Sequence, residues 1–104
     1  MRVPLAGLAV LLLSSPASAA APRTHVVTID QMKFGPVPAG IRAGDTIVWV
    51  NRDMFRHTAT ASNGSFNVDL PPNARRKTVV RAKGAIPFYC KYHPGMTGTL
   101  RVSG

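Results

Sequence analysis

A cysteine, a histidine and a methionine lie close together near the C-terminal end of the chain. They are Cys90, His93 and Met96, spaced Cys-x2-His-x2-Met within the stretch FYCKYHPGM. A thiolate, an imidazole and a thioether are the soft and borderline donors that suit copper. Pro94-Gly95 lets the chain turn tightly between the last two, which helps the three side chains to converge. The spacing therefore indicates a metal site supplied largely by one loop.

A fourth ligand is expected from elsewhere in the chain, and His57 is the candidate because it follows the strand-like run TIVWV and its loop. Two histidines and a cysteine in a trigonal plane, with a weak axial methionine, define the electron-transfer copper site. Taken singly, a cysteine or methionine is more often core filler, and a histidine more often an ordinary surface residue. The joint spacing favours the metal, because a free thiol in an exported protein is a liability unless something occupies it.

The first residues predict export. A positively charged start precedes an apolar run over residues 5–13, and small residues follow at 17–19. This order is typical of a secretory signal peptide, here residues 1–21, with cleavage after Ala19 or Ala21. The apolar run is far shorter than the roughly 20 residues of a membrane-spanning helix. A short uncleaved anchor is the alternative to a cleaved signal.

The rest of the chain, residues 22–104, is predicted to be one periplasmic domain with no membrane span in its mature form. Its one cysteine cannot form an intramolecular disulfide, and a bound metal is another way to stabilise so small a fold. Thirteen Lys and Arg stand against four Asp and Glu, or twelve against four without Arg2. Export and the lack of a recognition motif argue against nucleic acid, so the positive charge favours an acidic protein partner.

Short strand-like runs between turn signals predict an all-β domain, and no segment has the spacing of an amphipathic helix. An antiparallel β-sandwich of seven to eight strands is expected. The near-continuous apolarity of TIVWV predicts a central strand, whereas His25, at the edge of the first run, is expected to be ordinary surface. The runs cover residues 25–29, 46–50, 58–61, 66–70, 76–82, 86–90 and 97–102, with a broken extended stretch at 37–43.

Two segments of the chain resemble the ligand segments of cupredoxins, and among these the amicyanin and plastocyanin type. The first is Gly44-Asp45-Thr46 leading to VWVN at residues 48–51 and then His57. The second runs from Phe88-Tyr89-Cys90 to Met96, followed by GTL, and its short loop is that of amicyanin. The resemblance covers nearly the whole mature chain.

The resemblance implies a Greek-key β-sandwich, the cupredoxin fold. By the same resemblance, Asn51 ties the two ligand loops together and the backbone N–H of Thr58 points at the thiolate sulfur. It further implies one copper ion in a type 1 site, bound by His57, Cys90, His93 and Met96.

The chain departs from the amicyanin pattern at two positions. Thr58 stands where amicyanin has an asparagine, so the bonding of that side chain is expected to be lost. Arg56 stands where proline is usual. A cation beside the site should disfavour Cu(II) relative to Cu(I) and so raise the reduction potential.

The leading hypothesis is a monomeric electron carrier that exchanges one electron with redox proteins, such as an acidic cytochrome or dehydrogenase. The family places the edge of His93 at the surface, within an apolar patch of Pro94, Gly95, Met54 and Phe55. A periplasmic copper carrier or store is the alternative, although the chain has no Met- or His-rich tract. An enzyme is not expected, because four protein ligands leave no open position for a substrate.

Overall fold

The computed structural model describes residues 21–104. The predicted signal peptide lies outside these residues apart from Ala21, and export therefore stays a prediction. No helix in the described part is long and apolar enough to cross a membrane. The nine strands are β1 (Thr24–Asp30), β2 (Lys33–Phe34), β3 (Ile41–Arg42), β4 (Thr46–Asn51), β5 (His57–Ala61), β6 (Asn67–Leu70), β7 (Arg75–Val79), β8 (Gly84–Tyr89) and β9 (Thr97–Ser103).

The strands form two sheets that pack as a sandwich. One sheet has the order β2-β1-β4-β7 and the other the order β3-β9-β8-β5-β6. The predicted all-β sandwich is confirmed, with nine strands where seven to eight were expected. Short strand β3 lies within the broken extended stretch 37–43, and β2 is the additional strand. Most strand pairs are antiparallel, as expected, but β1 pairs with β4 and β3 pairs with β9 in parallel. Parallel neighbours need a crossover, and the chain makes one by visiting the second sheet as β3 between β1 and β4.

Strand β4 is central to its sheet, as the apolar run predicts. Its alternate residues Ile47 and Trp49 point into the sandwich and are fully buried, as the period of two in a strand requires. Val48 faces the other way but is only 3% exposed. Burial on both faces explains why this run lacks the apolar–polar alternation of a half-exposed strand.

An aromatic cluster fills the sandwich beneath the loop that follows β8. The ring of Phe88 lies 4.8 Å from that of Phe34 and 5.1 Å from that of Trp49, both edge-on. Gly98 pairs with Phe88 across the ladder, and a Cβ at this position would lie 2.3 Å from the phenyl ring. Glycine is thus required at 98, because any side chain would displace the ring that supports the loop.

A buried carboxylate joins three segments at the start of β4. Asp45 accepts hydrogen bonds from the backbone N–H groups of Arg23 and Arg42, both at 2.9 Å, and its Oδ2 lies 2.8 Å from Nε2 of His25. The His25 side chain is only 10% exposed, so the expectation of an ordinary surface histidine is wrong. The bond from Arg23, then that from His25, lowers the pKa of Asp45 to about 2.

Asp45→Asn is expected to flatten the acid dependence of stability. Because the folded pKa of about 2 lies below the usual 3.8, the carboxylate stabilises the fold above that usual value. This stabilisation disappears as the pH falls through about 2. Thermal unfolding of the metal-free protein, followed by circular dichroism against pH, measures the effect. Asp30→Asn, on an exposed residue, is the control and should keep the wild-type slope; equal slopes for both variants would contradict the assignment.

Candidate metal centre

Three strand ends bring the predicted ligands together. Cys90 directly follows β8, Met96 directly precedes β9, and His57 is the first residue of β5. The pairing of β5 with β8 ends at Tyr89, so the first residues of β5 extend alongside the loop that follows β8. Two adjacent antiparallel strands therefore deliver ligands that are far apart in sequence to one end of the sandwich.

The donor atoms of three predicted ligands form one cluster. Nδ1 of His57 and Nδ1 of His93 each lie 3.7 Å from the Cys90 sulfur, and the three donor atoms lie within 4.8 Å of one another. His57 and Cys90 are fully buried, whereas His93 is half-buried. Two imidazoles and a thiolate facing one another at these distances fit a copper ion between them.

Backbone hydrogen bonds fold the ligand loop back on itself. The N–H of Cys90 donates to the carbonyl of Met96 at 3.1 Å, and the N–H of Met96 donates to the carbonyl of His93 at 2.8 Å. Met96 is 6% exposed. The methionine is thus held in a buried position, and its backbone is bonded to two of the other predicted ligands.

Thr58 joins the two ligand segments. Its N–H donates to the Cys90 sulfur at 3.4 Å, as the resemblance predicts. Its hydroxyl oxygen accepts the N–H of Lys91 at 2.9 Å. The expectation that side-chain bonding is lost at this position is therefore wrong. A threonine hydroxyl is an acceptor like an amide oxygen, and here the start of β5 lies close enough to use it.

Asn51 has a different role from the predicted one. Its amide group donates to the carbonyls of Phe55 and Leu70, at 2.8 and 2.9 Å, and its oxygen accepts the N–H of Asp53 at 2.8 Å. The side chain faces inward at the end of β4, where it reaches β6 rather than the ligand loop. Asn51 therefore fixes the segment that leads into His57, and the link between the ligand loops belongs to Thr58.

Asp53 is a site residue that the sequence reasoning missed. Its Oδ2 lies 2.8 Å from Nε2 of the buried His57. Burial raises the pKa of Asp53, but hydrogen bonds from the Met32 N–H, His57 and the Gln31 N–H together lower it. If Nε2–H donates a hydrogen bond to this carboxylate, the lone pair of Nδ1 is left to bind a metal. Nδ1 is also the atom that faces Cys90. The sequence contains one sign of this contact, which is that an aspartate lies four residues before the candidate ligand His57.

Arg56 is paired, which the sequence did not reveal. Its Nε and a terminal nitrogen contact the two oxygens of Asp69 at 2.9 and 2.5 Å, in a bidentate arrangement. The hydrogen bond from Arg56 lowers the pKa of Asp69. The Asp69 carboxylate opposes the field that an isolated Arg56 would exert, so the expected increase in reduction potential is smaller.

Exposed apolar side chains lie on the two segments that carry the predicted ligands. Met54 is 81% exposed, and Phe55 and Tyr92 are each 53% exposed. The Phe55 ring centroid lies 6.5 Å from that of His93. The sequence predicted Met54 and Phe55 in this patch, whereas Tyr92 was missed because nothing in the spacing fixes its direction.

Comparisons with known proteins agree with this geometry. A family model for the cupredoxin-like domain matches residues 4–102. A plastocyanin of Nostoc punctiforme is 32% identical over 70% of the chain and 66% of its own length. An amicyanin of Paracoccus versutus is 26% identical over 74% of the chain and 63% of its own length. The chain thus spans just under two thirds of the length of these relatives.

Solved structures share the fold. A Cu(I) structure of an amicyanin mutant superposes with a TM-score of 0.64, at 23% identity over 77% of this chain and 82% of the other. A copper-containing nitrite reductase from Thermus scotoductus gives 0.68, at 25% identity over 78% of this chain but 22% of the enzyme chain. The chain belongs to the cupredoxin-like family. Within it, the chain is of the amicyanin and plastocyanin type, which confirms the resemblance.

In the copper-loaded protein, Asp69→Asn is expected to raise the reduction potential by on the order of tens of millivolts, because it leaves the Arg56 charge uncompensated. Direct electrochemistry at low salt measures the potential, and added salt should shrink the difference. Arg56→Gln should shift the potential downward, and the double variant should return close to the wild-type value. An unchanged potential in Asp69→Asn at low salt would show that this pair does not influence the site.

Proposed function

We propose that the chain is an exported blue-copper electron carrier. Its cofactor is a single copper ion, and His57, Cys90, His93 and Met96 would hold it. The observation that carries the proposal is the cluster of two imidazole nitrogens and one thiol, with donor atoms within 4.8 Å, at one end of the sandwich. Copper, when bound, supplies one-electron chemistry between Cu(I) and Cu(II).

The protein holds the proposed ligands rigidly and leaves one of them near the surface. Cys90 would offer its sulfur to the metal from a buried position, and the Thr58 N–H and the Asp53 carboxylate hold that sulfur and the His57 ring in place. His93 is the ligand nearest to solvent, and its neighbours Phe55 and Tyr92 offer an apolar contact surface. Electrons would therefore enter and leave through the His93 edge.

The buried ligands favour an electron carrier over a copper carrier or store. His57 and Cys90 are both 0% exposed, so a metal exchanged between proteins would have to leave a closed site. Four protein ligands also leave no open position for a substrate, which supports a carrier rather than an enzyme. The nitrite reductase similarity covers 22% of that enzyme and concerns the fold of one part of it.

The charge of the described chain favours an acidic redox partner. All four carboxylates are aspartates, and three of them already engage histidine, arginine or backbone N–H groups: Asp45, Asp53 and Asp69. The twelve Lys and Arg in residues 21–104 are all exposed, and the surface carries little negative charge to balance them. Such a surface attracts an acidic protein electrostatically and does not attract a second copy of itself, so we propose a monomer.

The copper-loaded wild-type protein is expected to show an intense visible absorption from thiolate-to-copper charge transfer, and Cys90→Ser is expected to abolish it. Absorption spectroscopy of protein purified from the periplasm and reconstituted with Cu(II) provides the measurement. His25→Gln is the matched control, because His25 lies at the Asp45 cluster, and it should retain the colour. A colourless wild type, or a coloured Cys90→Ser variant, would contradict the proposal.

The rate of electron exchange is expected to fall with added salt for an anionic reagent and to rise for a cationic one. Stopped-flow oxidation of the reduced protein by hexacyanoferrate(III), an anion, should slow by about tenfold or more as salt is raised, whereas a cationic cobalt(III) complex should react faster. Lys91→Gln, beside Cys90, should weaken the effect more than Lys83→Gln, which precedes the far end of β8. Equal effects of these two variants would refute a cationic docking face at the metal end.

A further inference from the structure

The carboxylate of Asp53 accepts three hydrogen bonds. Two come from a turn that is distant in sequence, and one comes from His57, four residues further along the chain. Its Oδ1 accepts the N–H of Gln31 at 2.7 Å, and its Oδ2 accepts the N–H of Met32 at 2.9 Å. The same Oδ2 lies 2.8 Å from Nε2 of His57. The Asp53 side chain is 10% exposed and the His57 side chain 0%, so water competes little for these contacts.

The turn that binds Asp53 has a backbone conformation that its residues do not favour. Gln31 and Met32 lie between the paired residues Asp30 and Lys33, with φ values of 51° and 61°. Two-residue hairpin turns with positive φ at both positions prefer glycine, asparagine or aspartate. Neither residue here is of that kind, and both N–H groups point to one carboxylate. The carboxylate therefore stabilises a turn that local preference does not.

This turn lies beside the loop that carries the methionine ligand. A cleft of about 260 Å³ separates the two segments. It is lined by Met32, Lys33 and Phe34 on the side of the turn, and by Gly95, Met96 and Thr97 on the side of the ligand loop. A shift of the turn would therefore change the packing next to Met96.

Asp53 is itself held in place. Its N–H donates to the side-chain oxygen of Asn51 at 2.8 Å, and the amide of Asn51 in turn reaches the carbonyls of Phe55 and Leu70. The carboxylate thus stands on a segment that is fixed to β4 and β6. A fixed acceptor can orient a histidine ring, whereas a mobile one would follow it.

We propose that Asp53 is the positioning residue of the metal centre, holding the His57 ring with Nδ1 toward Cys90 and fixing the β1–β2 turn against the Met96 loop. This inference rests on the ligand set of the proposed function. It adds a single carboxylate that couples the His57 ring to the segment beside Met96. The second effect is specific to this arrangement, because the turn contacts Asp53 through both of its central N–H groups.

Asp53→Ala removes all three contacts, and Asp53→Asn keeps the shape but places an NH₂ group against one of the donors. Nitrogen-edited NMR of the metal-free protein is expected to show a protected His57 Nε2–H in the wild type and its loss in both variants. Copper affinity should fall about 10- to 100-fold, and the ratio of the visible bands should change. Asp30→Asn, next to the same turn, removes an equal charge and should behave as wild type.

The outcomes separate this inference from the proposed function. If the wild type lacks the thiolate-to-copper band, the proposed function fails, while the NMR measurement on the metal-free protein still tests the hold on His57. Should Asp53→Ala not fold, the Asp53→Asn variant decides. A variant that is less stable but keeps the Nε2–H signal, the copper affinity and the spectrum of the Asp30→Asn control would reduce Asp53 to a structural residue and overturn the inference.

Discussion

The two hydrogen bonds that Thr58 makes with Cys90 and Lys91 are the constraint on which the metal centre depends. They join the start of β5 to the loop after β8, and so extend the contact between these two strands beyond their last ladder pair, Thr60 with Tyr89. One bond ends on the sulfur and the other on the next residue of the chain, so sulfur position and loop position are set together. The surrounding fold supports these strand ends. The Phe88 ring packs under the loop, and Gly98 on the paired strand leaves room for that ring.

The sequence predicts the site better than it predicts what supports the site. Residue types and their spacing are local properties of the chain, and hence Cys90, His93 and Met96 could be singled out as proposed ligands, with His57 as their expected partner. The apolar run of β4 likewise contained enough information to predict a central strand. The hydrogen bond of Thr58 to Lys91 depends on the register between two distant strands, which no local pattern encodes. The burial of His25 against Asp45 and the contact of Asp53 with the β1–β2 turn could not be inferred for the same reason.

Three of the four aspartates are bonded to other groups of the chain itself, and Asp30 is exposed. Asp45 closes the end of the sandwich far from the ligands, Asp53 serves the ligand end, and Asp69 neutralises the arginine next to His57. In this small domain, with few carboxylates, most of them lie where hydrogen-bond donors converge, because a carboxylate can accept more hydrogen bonds than a neutral side chain. Because these carboxylates are already engaged, the exterior is strongly positive.

That imbalance also affects encounters between two molecules of the protein. Direct electron exchange between an oxidised and a reduced copy would require both His93 edges to meet, and the two segments that supply the proposed ligands carry exposed cations such as Arg52 and Lys91. Like charges of this size repel at distances within the screening length of a dilute salt solution. In dilute salt, self-exchange should therefore be slow compared with exchange with an acidic partner. Electrons loaded onto the protein would then pass preferentially to that partner rather than equilibrate within the pool.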